Sequence, residues 1–305
     1  MPVSPPVPLQ NPPLPIDGHV PALRSAVAAR GTLVLAAEPG AGKTTRLPPA
    51  LLDVIDGKVL CLQPRRVAAR AAAERVAAEN GWRLGREVGY HVRFDRVADI
   101  DGADTRLLFL TEALLTRRLI ADPLLDGVGC VILDEFHERS IHADLALAML
   151  REVREARPGL AVVVMSATLD AGPVAKFLGA GEPVTVGGRV FPVDVVHRPP
   201  ATLDLSPDGF ADAVVGGFDD VPDDGDVLVF LPGAAEIDAT LHRLQRVCGD
   251  RWDLRPLHGS LPFDQQQAAL RPSAKRRVIC ATNIAETSLT VPGVRCVIDT
   301  GWARQ

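Results

Sequence analysis

Residues 38–45, with the sequence EPGAGKTT, have the types and spacing of a loop that binds phosphate. Glycines let consecutive backbone N–H groups close around phosphate oxygens, and Lys43 can reach the β- and γ-phosphates. The Thr44 hydroxyl can hold Mg²⁺, and a helix that begins at Lys43 adds the positive end of its dipole. The alternative is a chance glycine-rich turn, since Ala37 stands where the first glycine is usual. The predicted nucleotide-binding residues of this loop are Glu38, Pro39, Gly40, Ala41, Gly42, Lys43, Thr44 and Thr45.

Two adjacent carboxylates, Asp134 and Glu135, directly follow a second apolar run. At the end of a buried strand they would be exposed at the carboxyl edge of the sheet, where parallel sheets bind ligands. Asp134 would coordinate Mg²⁺ directly or through water, and Glu135 would align and deprotonate the attacking water. The alternative is an Asp-Glu pair that only caps a helix, which the nearby phosphate loop disfavours. Thr44, Asp134 and Glu135 form the predicted metal site, so the sequence indicates a chain that binds and splits a nucleoside triphosphate.

Alternating strands and helices must position these residues. Short apolar runs alternate with longer Ala- or Leu-rich stretches of helical spacing, which is typical of a doubly wound parallel sheet. We therefore predict an α/β fold. The predicted strands are Thr32–Ala36, Lys58–Leu62, Leu107–Leu110, Cys130–Leu133 and Ala161–Met165. The predicted helices include Val67–Ala78, Glu112–Leu119 and Ala143–Arg154.

A second domain is expected after the Gly- and Pro-rich stretch at residues 187–200. The strand pattern restarts there, with fewer strands than in the first domain, and we expect this second domain to be incomplete. The predicted domains are a Pro-rich leader at 1–17, a nucleotide-binding domain at 18–190 and a second domain at 191–305. The predicted strands of the second domain are Asp226–Leu231, Asp253–Leu257, Arg277–Ala281 and Val294–Asp299.

Composition excludes several classes of protein. The chain has 305 residues, of which 47% are hydrophobic, and no apolar stretch approaches the roughly 20 residues of a membrane span. No secretory signal pattern begins the sequence. The Pro-rich leader favours a disordered segment, with a polyproline ligand for a partner as the alternative. The five cysteines are scattered, which disfavours zinc and disulfides and fits a reducing cytoplasm.

Charge does not by itself identify a polyanion-binding protein, because the formal net charge is −5. Much of the acidity, however, is concentrated around Pro222. Arginines cluster elsewhere, which is compatible with a locally basic groove that binds nucleic acid. The clustered arginines are Arg65, Arg66, Arg70, Arg75, Arg117 and Arg118.

Residues 134–140, DEFHERS, resemble motif II of DEAH-type superfamily 2 helicases, and most closely the bacterial HrpB-type branch, with Phe136 in place of the usual alanine. Further segments resemble the family's other motifs in the family's order. This ordered set is far more specific than one motif. The segments are QPRRVAA at 63–69 (motif Ia), TEALL at 111–115 (Ib), SATLD at 166–170 (III), VFLPG at 229–233 (IV), LHGSLP at 257–262 and ATNIAETSLT at 281–290 (V).

This resemblance implies tandem RecA-like domains and residues that contact a nucleic-acid strand. Strand-to-helix turns offer N–H groups and guanidinium groups to phosphate oxygens. For Arg65 and Arg66 the alternative is a solvated pair that opens a helix. The residues implied to contact nucleic acid are Pro64, Arg65, Arg66, Thr111, Gly233, Thr282 and Asn283.

Other residues are implied at the nucleotide. Arg75 aligns with an arginine that stacks on the nucleobase, although an exposed helix arginine is nearly as well supported. Such stacking reads no base identity, so several nucleoside triphosphates should be accepted. Ser166 and Thr168 are implied to link the acidic pair to an inter-domain cleft, which Asp299 also faces. His137 is implied to couple hydrolysis to the second domain. With Lys43, Asp134 and Glu135, it completes the predicted catalytic set.

The implied function is an ATP-dependent helicase or translocase that uses Mg²⁺ and moves 3′→5′ on a single strand, RNA rather than DNA. Motif VI, which carries arginine fingers, is absent from the sequence, so we expect a truncated chain with poor turnover and a marginally stable second domain. The alternative is a nucleotide-gated nucleic-acid clamp. A phosphate-loop kinase or transporter ATPase is disfavoured, because it has no use for motifs Ia, Ib and V.

Overall fold

The computed structural model describes residues 13–99, 104–167, 171–188, 192–199, 202–286 and 291–304. By its internal contacts the chain divides into two units, Met1–Phe191 and Pro192–Gln305. Most of the predicted leader, Thr168 and the end of motif V lie outside the described residues. Among the described residues, no helix is both long enough and apolar enough to span a bilayer.

The first unit is built on an eight-stranded sheet with the strand order β4-β3-β5-β2-β6-β7-β1-β8. Every neighbouring pair is parallel except β3 and β4. The predicted strands all belong to its parallel part. The strands are β1 (Thr32–Ala37), β2 (Lys58–Gln63), β3 (Val88–Val92), β4 (Asp95–Val97), β5 (Leu107–Thr111), β6 (Val128–Leu133), β7 (Ala161–Ser166) and β8 (Val184–Val186).

Helices cover both faces of this sheet, and alternate side chains of each central strand enter two different cores. In β6, Cys130 and Ile132 belong to one core, whereas Val131 and Leu133 belong to the other. This two-sided burial explains why the strand reads as a continuous apolar run. The helices of this unit are α1 (Val20–Arg30), α2 (Lys43–Leu51), α3 (Arg66–Asn80), α4 (Glu112–Ala121), α5 (Ile141–Ala156) and α6 (Ala171–Leu178).

The edge of the first sheet departs from the predicted all-parallel arrangement. Strand β4 returns antiparallel to β3, with Tyr90 opposite Val97 and Val92 opposite Asp95. The turn between them is short, and Phe94 adopts a positive φ of 70° there. A tight turn can join only antiparallel strands, because a parallel connection needs a crossover of a dozen or more residues. The sheet is therefore mixed, although its ligand-binding part is parallel.

The second unit contains a parallel four-stranded sheet with the order β10-β11-β9-β12. Its strands match the four predicted segments closely. Strand β12 lies at one edge, and its burial alternates between half-buried and exposed side chains. The elements are α7 (Pro207–Gly216), β9 (Asp226–Phe230), α8 (Ala234–Cys248), β10 (Asp253–Leu257), α9 (Phe263–Leu270), β11 (Arg277–Ala281) and β12 (Val294–Asp299).

Candidate functional site

The strand order of the first unit brings the predicted chemistry to one edge of its sheet. Strands β2, β6, β7 and β1 are consecutive neighbours and run parallel. Their carboxyl ends therefore meet at the same edge, which is where open α/β sheets bind ligands. The phosphate loop follows β1, the acidic pair follows β6, and Ser166 ends β7.

The phosphate loop turns directly into helix α2. Gly40 and Gly42 have φ values of 77° and 94°, a region that is strained for any residue with a Cβ. Gly42 also precedes the first residue of α2, Lys43, as the sequence predicted. A side chain at Gly42 would lie within 2.6 Å of Leu14 Cδ1. The loop is therefore held against the segment before α1, with its amides at a helix N-terminus.

Lys43 and Glu135 join the two motifs in a buried ion pair. Lys43 Nζ lies 3.0 Å from Glu135 Oε1, and the two side chains are only 6% and 10% exposed. The lysine thus lies between the phosphate loop and the end of β6. Both residues were predicted as catalytic, but their direct contact was not.

Asp134 accepts hydrogen bonds on both carboxylate oxygens. Its Oδ2 accepts from Thr44 Oγ1 at 2.6 Å and from Gln63 Nε2 at 2.7 Å. Its Oδ1 accepts from the backbone N–H of Glu135 at 2.9 Å. The carboxylate is buried and fully oriented by these donors. The sequence predicted Asp134 and Glu135 to be exposed at the strand end, but both are buried because neighbouring strands and loops pack around them. The role of Thr44 and Asp134 as metal ligands stays a prediction.

Glu135 occupies an unusual backbone and electrostatic environment. Its φ of 51° is in the left-handed region, where a residue with a Cβ is strained by an amount on the order of 1–3 kcal/mol. Burial raises the pKa of its carboxyl group to about 7, with the charge of Asp134 adding to the effect and Lys43 opposing it. A carboxylate that titrates near neutral pH is suited to exchanging protons with water.

His137 connects motif II to motif III. Its Nδ1 accepts a hydrogen bond from the backbone N–H of Ala167 at 3.3 Å. Burial lowers the pKa of His137, and the charge of Lys43 lowers it further. The lowered pKa favours the neutral ring, and Nδ1 also lies 3.5 Å from Glu135 Oε2. Ser166, which precedes Ala167, is completely buried. The predicted partner Thr168 lies outside the described residues.

The residues predicted to contact nucleic acid in the first unit lie at two neighbouring strand ends. Strands β2 and β5 are paired, and Gln63 lies opposite Thr111. Pro64 and Arg65 are half-buried, whereas Arg66 is exposed at the start of α3. Arg65 Nη2 lies 3.4 Å from Glu138 Oε2, which connects motif Ia with motif II. The role of these residues stays a prediction.

Arg75 is an exposed residue of α3. Its guanidinium is 2.8 Å from Glu79 one turn later, and its side chain is 52% exposed. Glu79 also accepts from Arg46 of α2 at 2.8 Å, and Arg46 contacts Asp17 at 3.1 Å. Arg75 is thus tied through a charged network to the helix after the phosphate loop. This geometry fits the exposed-arginine alternative, and stacking on a nucleobase stays a prediction.

The predicted residues of the second unit lie at the ends of its strands. Gly233 is buried, and a Cβ there would lie 2.9 Å from Glu236 Oε2. Thr282 is half-buried and its N–H donates to Leu257 O at 3.1 Å, while Asn283 is exposed. Asp299 is exposed at the end of β12 and accepts from the backbone of Gly301 at 2.8 Å. Their functional roles stay predictions.

Sequence reasoning missed three buried side chains around the site. Gln63 was noted only as part of motif Ia, although a glutamine at the end of an apolar strand is a signal in itself. Arg46 lies next to the predicted loop. Glu112 accepts a hydrogen bond from Ser140 Oγ, and burial raises the pKa of Glu112. This last contact joins motif Ib to motif II.

The oxygen donors at this edge fit Mg²⁺. The Thr44 hydroxyl oxygen lies 2.6 Å from a carboxylate oxygen of Asp134. Oxygen atoms of these kinds are the ligands that Mg²⁺ prefers. Within the described residues, no group of three or more His, Cys, Asp or Glu side chains could hold a metal ion. A site with one or two carboxylates is what Mg²⁺ uses when phosphates and waters supply the other ligands.

Comparison with known proteins identifies relatives of both units. A DEAD/DEAH box helicase family profile matches residues 21–177, and a helicase conserved C-terminal domain profile matches residues 213–304. The Escherichia coli protein named ATP-dependent RNA helicase HrpB is 42% identical over 294 residues, covering 94% of this chain and 35% of HrpB. A Caenorhabditis elegans protein, named "Probable ATP-dependent RNA helicase DHX35 homolog", is 38% identical over 294 residues, covering 90% of this chain and 40% of the relative.

A solved structure supports the same relationship. The crystal structure of Escherichia coli DEAH/RHA helicase HrpB matches with a TM-score of 0.84 at 41% identity, over 96% of this chain and 37% of that one. The chain therefore spans 35% to 40% of the length of these relatives. The predicted tandem RecA-like fold and the resemblance to the HrpB-type branch are confirmed. From the phosphate loop, the acidic strand end and these matches, we conclude that the chain belongs to the DEAD/DEAH box helicase family.

Proposed function

We propose that this chain binds ATP with Mg²⁺ at the carboxyl edge of its first sheet and couples hydrolysis to movement along a single strand of RNA, in the 3′→5′ direction. The observation that carries the proposal is the joining of the two motifs by Lys43 with Glu135 and by Thr44 with Asp134. The names of the relatives, both RNA helicases, support RNA over DNA.

In this proposal Lys43 changes partners when a nucleotide binds. Its ammonium group pairs with Glu135 in the structure and would be drawn to the β- and γ-phosphates. Release from Lys43 leaves the Glu135 carboxylate available to orient a water and accept its proton. Burial, which raises the pKa of the Glu135 carboxyl group, makes the carboxylate more basic for that transfer.

Thr44 and Asp134 would hold Mg²⁺, which when bound neutralises phosphate charge. The two oxygens already share a hydrogen bond of 2.6 Å, so only small side-chain adjustments are needed. His137 keeps the end of β6 in contact with Ala167 after β7. We infer that this hydrogen bond transmits movements of Asp134 and Glu135 to motif III.

Pro64, Arg65, Arg66 and Thr111 would bind the sugar-phosphate backbone of the strand at the adjacent ends of β2 and β5. Gly233, Thr282 and Asn283 would contribute further contacts from the second unit, and Asp299 and Arg75 would contact the nucleotide. The contact between Arg65 and Glu138 supports a physical link between the RNA-binding residues and the nucleotide-binding residues of the first unit.

The proposal is tested by measuring ATP turnover of the 305-residue chain with and without poly(U) or single-stranded DNA, beside Glu135→Gln. We expect slow turnover that poly(U) stimulates more than DNA does and that Glu135→Gln abolishes. Nucleotide binding with no turnover would favour the nucleotide-gated clamp instead. Absence of nucleotide binding would overturn both functions.

A further inference from the structure

Gln63 is a buried polar residue at the end of an otherwise apolar strand. Its side chain is almost fully enclosed, as is that of Asp134. Its amide donates to Asp134 Oδ2 at 2.7 Å, the same oxygen that accepts from Thr44. A charge-assisted bond of this kind is stronger than one between neutral groups and holds the carboxylate in one rotamer. Gln63 therefore orients the carboxylate that is predicted to bind metal.

The backbone supports the same contact. Strands β2 and β6 are paired, with Leu62 opposite Leu133, and Asp134 N donates to Leu62 O at 3.2 Å. The ends of the two strands are thus fastened by one backbone bond and one side-chain bond. A displacement at the end of β2 must move the Asp134 carboxylate or break the Gln63 bond.

Gln63 directly precedes the residues predicted to contact the polynucleotide. Pro64 follows it with a fixed φ, and Arg65 then occupies the N-cap position of α3. Arg65 contacts Glu138, which lies in the same short segment as Asp134. Two side-chain contacts and two short stretches of backbone therefore form a closed ring, Asp134 to Gln63 to Arg65 to Glu138 and back.

We propose that Gln63 is a positioning residue that couples polynucleotide contact at Arg65 to the orientation of Asp134. This inference rests on the proposed function, because it assumes that a polynucleotide binds at Arg65 and a metal ion at Asp134. A bound polynucleotide that draws Arg65 away from Glu138 shifts the end of β2, and the Gln63 amide transmits the shift to the Asp134 carboxylate. Metal binding and strand binding then become linked, and the linkage is reciprocal.

The test compares Gln63→Leu with Gln266→Leu, which makes the same replacement of a buried glutamine in the second unit. Gln266 donates to Leu261 O at 2.8 Å and has no assigned role at the site. The measured quantity is the affinity of Mn²⁺ in the presence of a non-hydrolysable ATP analogue, by electron paramagnetic resonance, with and without poly(U).

We expect Gln63→Leu to weaken Mn²⁺ binding about 10-fold, the lower end of the range for residues that orient a metal ligand. Poly(U) should change Mn²⁺ affinity in the parent chain and in Gln266→Leu, but not in Gln63→Leu. Affinity for the analogue without metal should stay within about two-fold of the parent value, since the Gln63 amide bonds to the Asp134 carboxylate.

Unchanged Mn²⁺ affinity and unchanged poly(U) dependence in Gln63→Leu would overturn the inference. So would a lower melting temperature without a change in either metal measurement, because that pattern indicates a structural role. If Gln63→Leu does not fold, Gln63→Asn keeps the amide but withdraws it from Asp134, and the same loss of linkage is expected. Failure of the proposed function is separately visible, as linked metal and poly(U) binding without any ATP turnover.

Discussion

The ends of strands β6 and β12 show how differently the two units present their predicted residues. After β6, Asp134 and Glu135 are buried and each is bonded to residues of other motifs. After β12, Asp299 is exposed, and its carboxylate accepts a hydrogen bond from the backbone N–H of the nearby Gly301. The first end belongs to a central strand with helices on both faces, and the second to an edge strand. The side chains at the end of β6 are therefore held in place by burial and by contacts with neighbouring strands, without a bound ligand.

The same difference extends along the two strands. All six residues of β6 are buried, whereas β12 alternates and leaves Val297 55% exposed. A central strand is buried on both faces and must place apolar side chains in two cores. In the edge strand β12, alternate side chains are exposed instead. Substitutions along β6 and at its end should therefore have large effects, and those along β12 small ones.

The largest effect is expected for Glu135→Gln. Loss of the water-activating carboxylate should lower turnover about 10²–10⁴-fold while nucleotide affinity stays close to that of the parent chain. Steady-state ATP hydrolysis and analogue binding measure the two quantities. Glu155→Gln, an exposed residue of α5, is the matched control. Equal turnover in Glu135→Gln and the control would mean that the end of β6 is not the catalytic edge.

Core truncation should distinguish the two strands by stability. Ile132→Ala in β6 removes a fully buried side chain and should lower the free energy of unfolding of the first unit by about 2–5 kcal/mol. Val297→Ala in β12 should change that of the second unit by less than about 0.5 kcal/mol, because its side chain is exposed. Denaturant unfolding followed separately for each unit measures both. Similar losses at the two positions would contradict the comparison.

The raised pKa of Glu135 predicts a pH-dependent stability. Its folded-state pKa of about 7 lies above the ordinary value of 4.5, so the folded unit holds a proton that the unfolded chain releases. This contribution to stability is present below pH 4.5 and is lost as the pH rises through about 7. Glutamine cannot ionise, so the melting temperature of Glu135→Gln should lack the fall that the parent chain shows as the pH rises from 5 to 8.

Thermal unfolding of both chains between pH 5 and pH 8 makes this comparison. A constant difference in melting temperature across that range would show that Glu135 ionises as an ordinary carboxyl. The same ionisation should appear in kcat/KM as an acidic limb with an apparent pKa near 7, because kcat/KM reports the free enzyme.

The smallest effects are expected at the arginines of motif Ia. Arg66→Ala should weaken poly(U) binding modestly and reduce the slope of log affinity against log salt by about 0.7, the value for one phosphate contact on a single strand. Arg65→Ala should do the same and also remove the contact with Glu138. Titrations at several salt concentrations measure the slope, with Arg24→Ala in α1 as the control. A slope unchanged from the control would support the alternative of a solvated pair.

The sequence predicts most of what lies along the parallel strands. Continuous apolar runs such as Val131–Leu133 identify a strand buried on both faces, and the motif after it places Asp134 and Glu135 correctly at its end. The antiparallel strand β4 was missed because Asp95–Val97 is too short to show a period. The domain boundaries and the roles of individual site residues stay predictions.

Contacts between distant residues could not be read from the chain. The bond from Gln63 to Asp134 joins residues 71 positions apart, and it follows only from the pairing of β2 with β6. The ion pair of Lys43 with Glu135 needs the strand order as well, since β7 separates β1 from β6. Motifs gave the residue types, and the sheet order determined which of them touch.

The central claim is that the ends of β1 and β6 form one nucleotide and metal site. The most direct test is anomalous diffraction from crystals of this chain grown with Mn²⁺ and a non-hydrolysable ATP analogue. We predict the manganese peak beside Thr44 Oγ1 and Asp134, with Lys43 bonded to phosphate and separated from Glu135. Manganese bound elsewhere, or Lys43 still paired with Glu135 when the analogue is bound, would contradict the account.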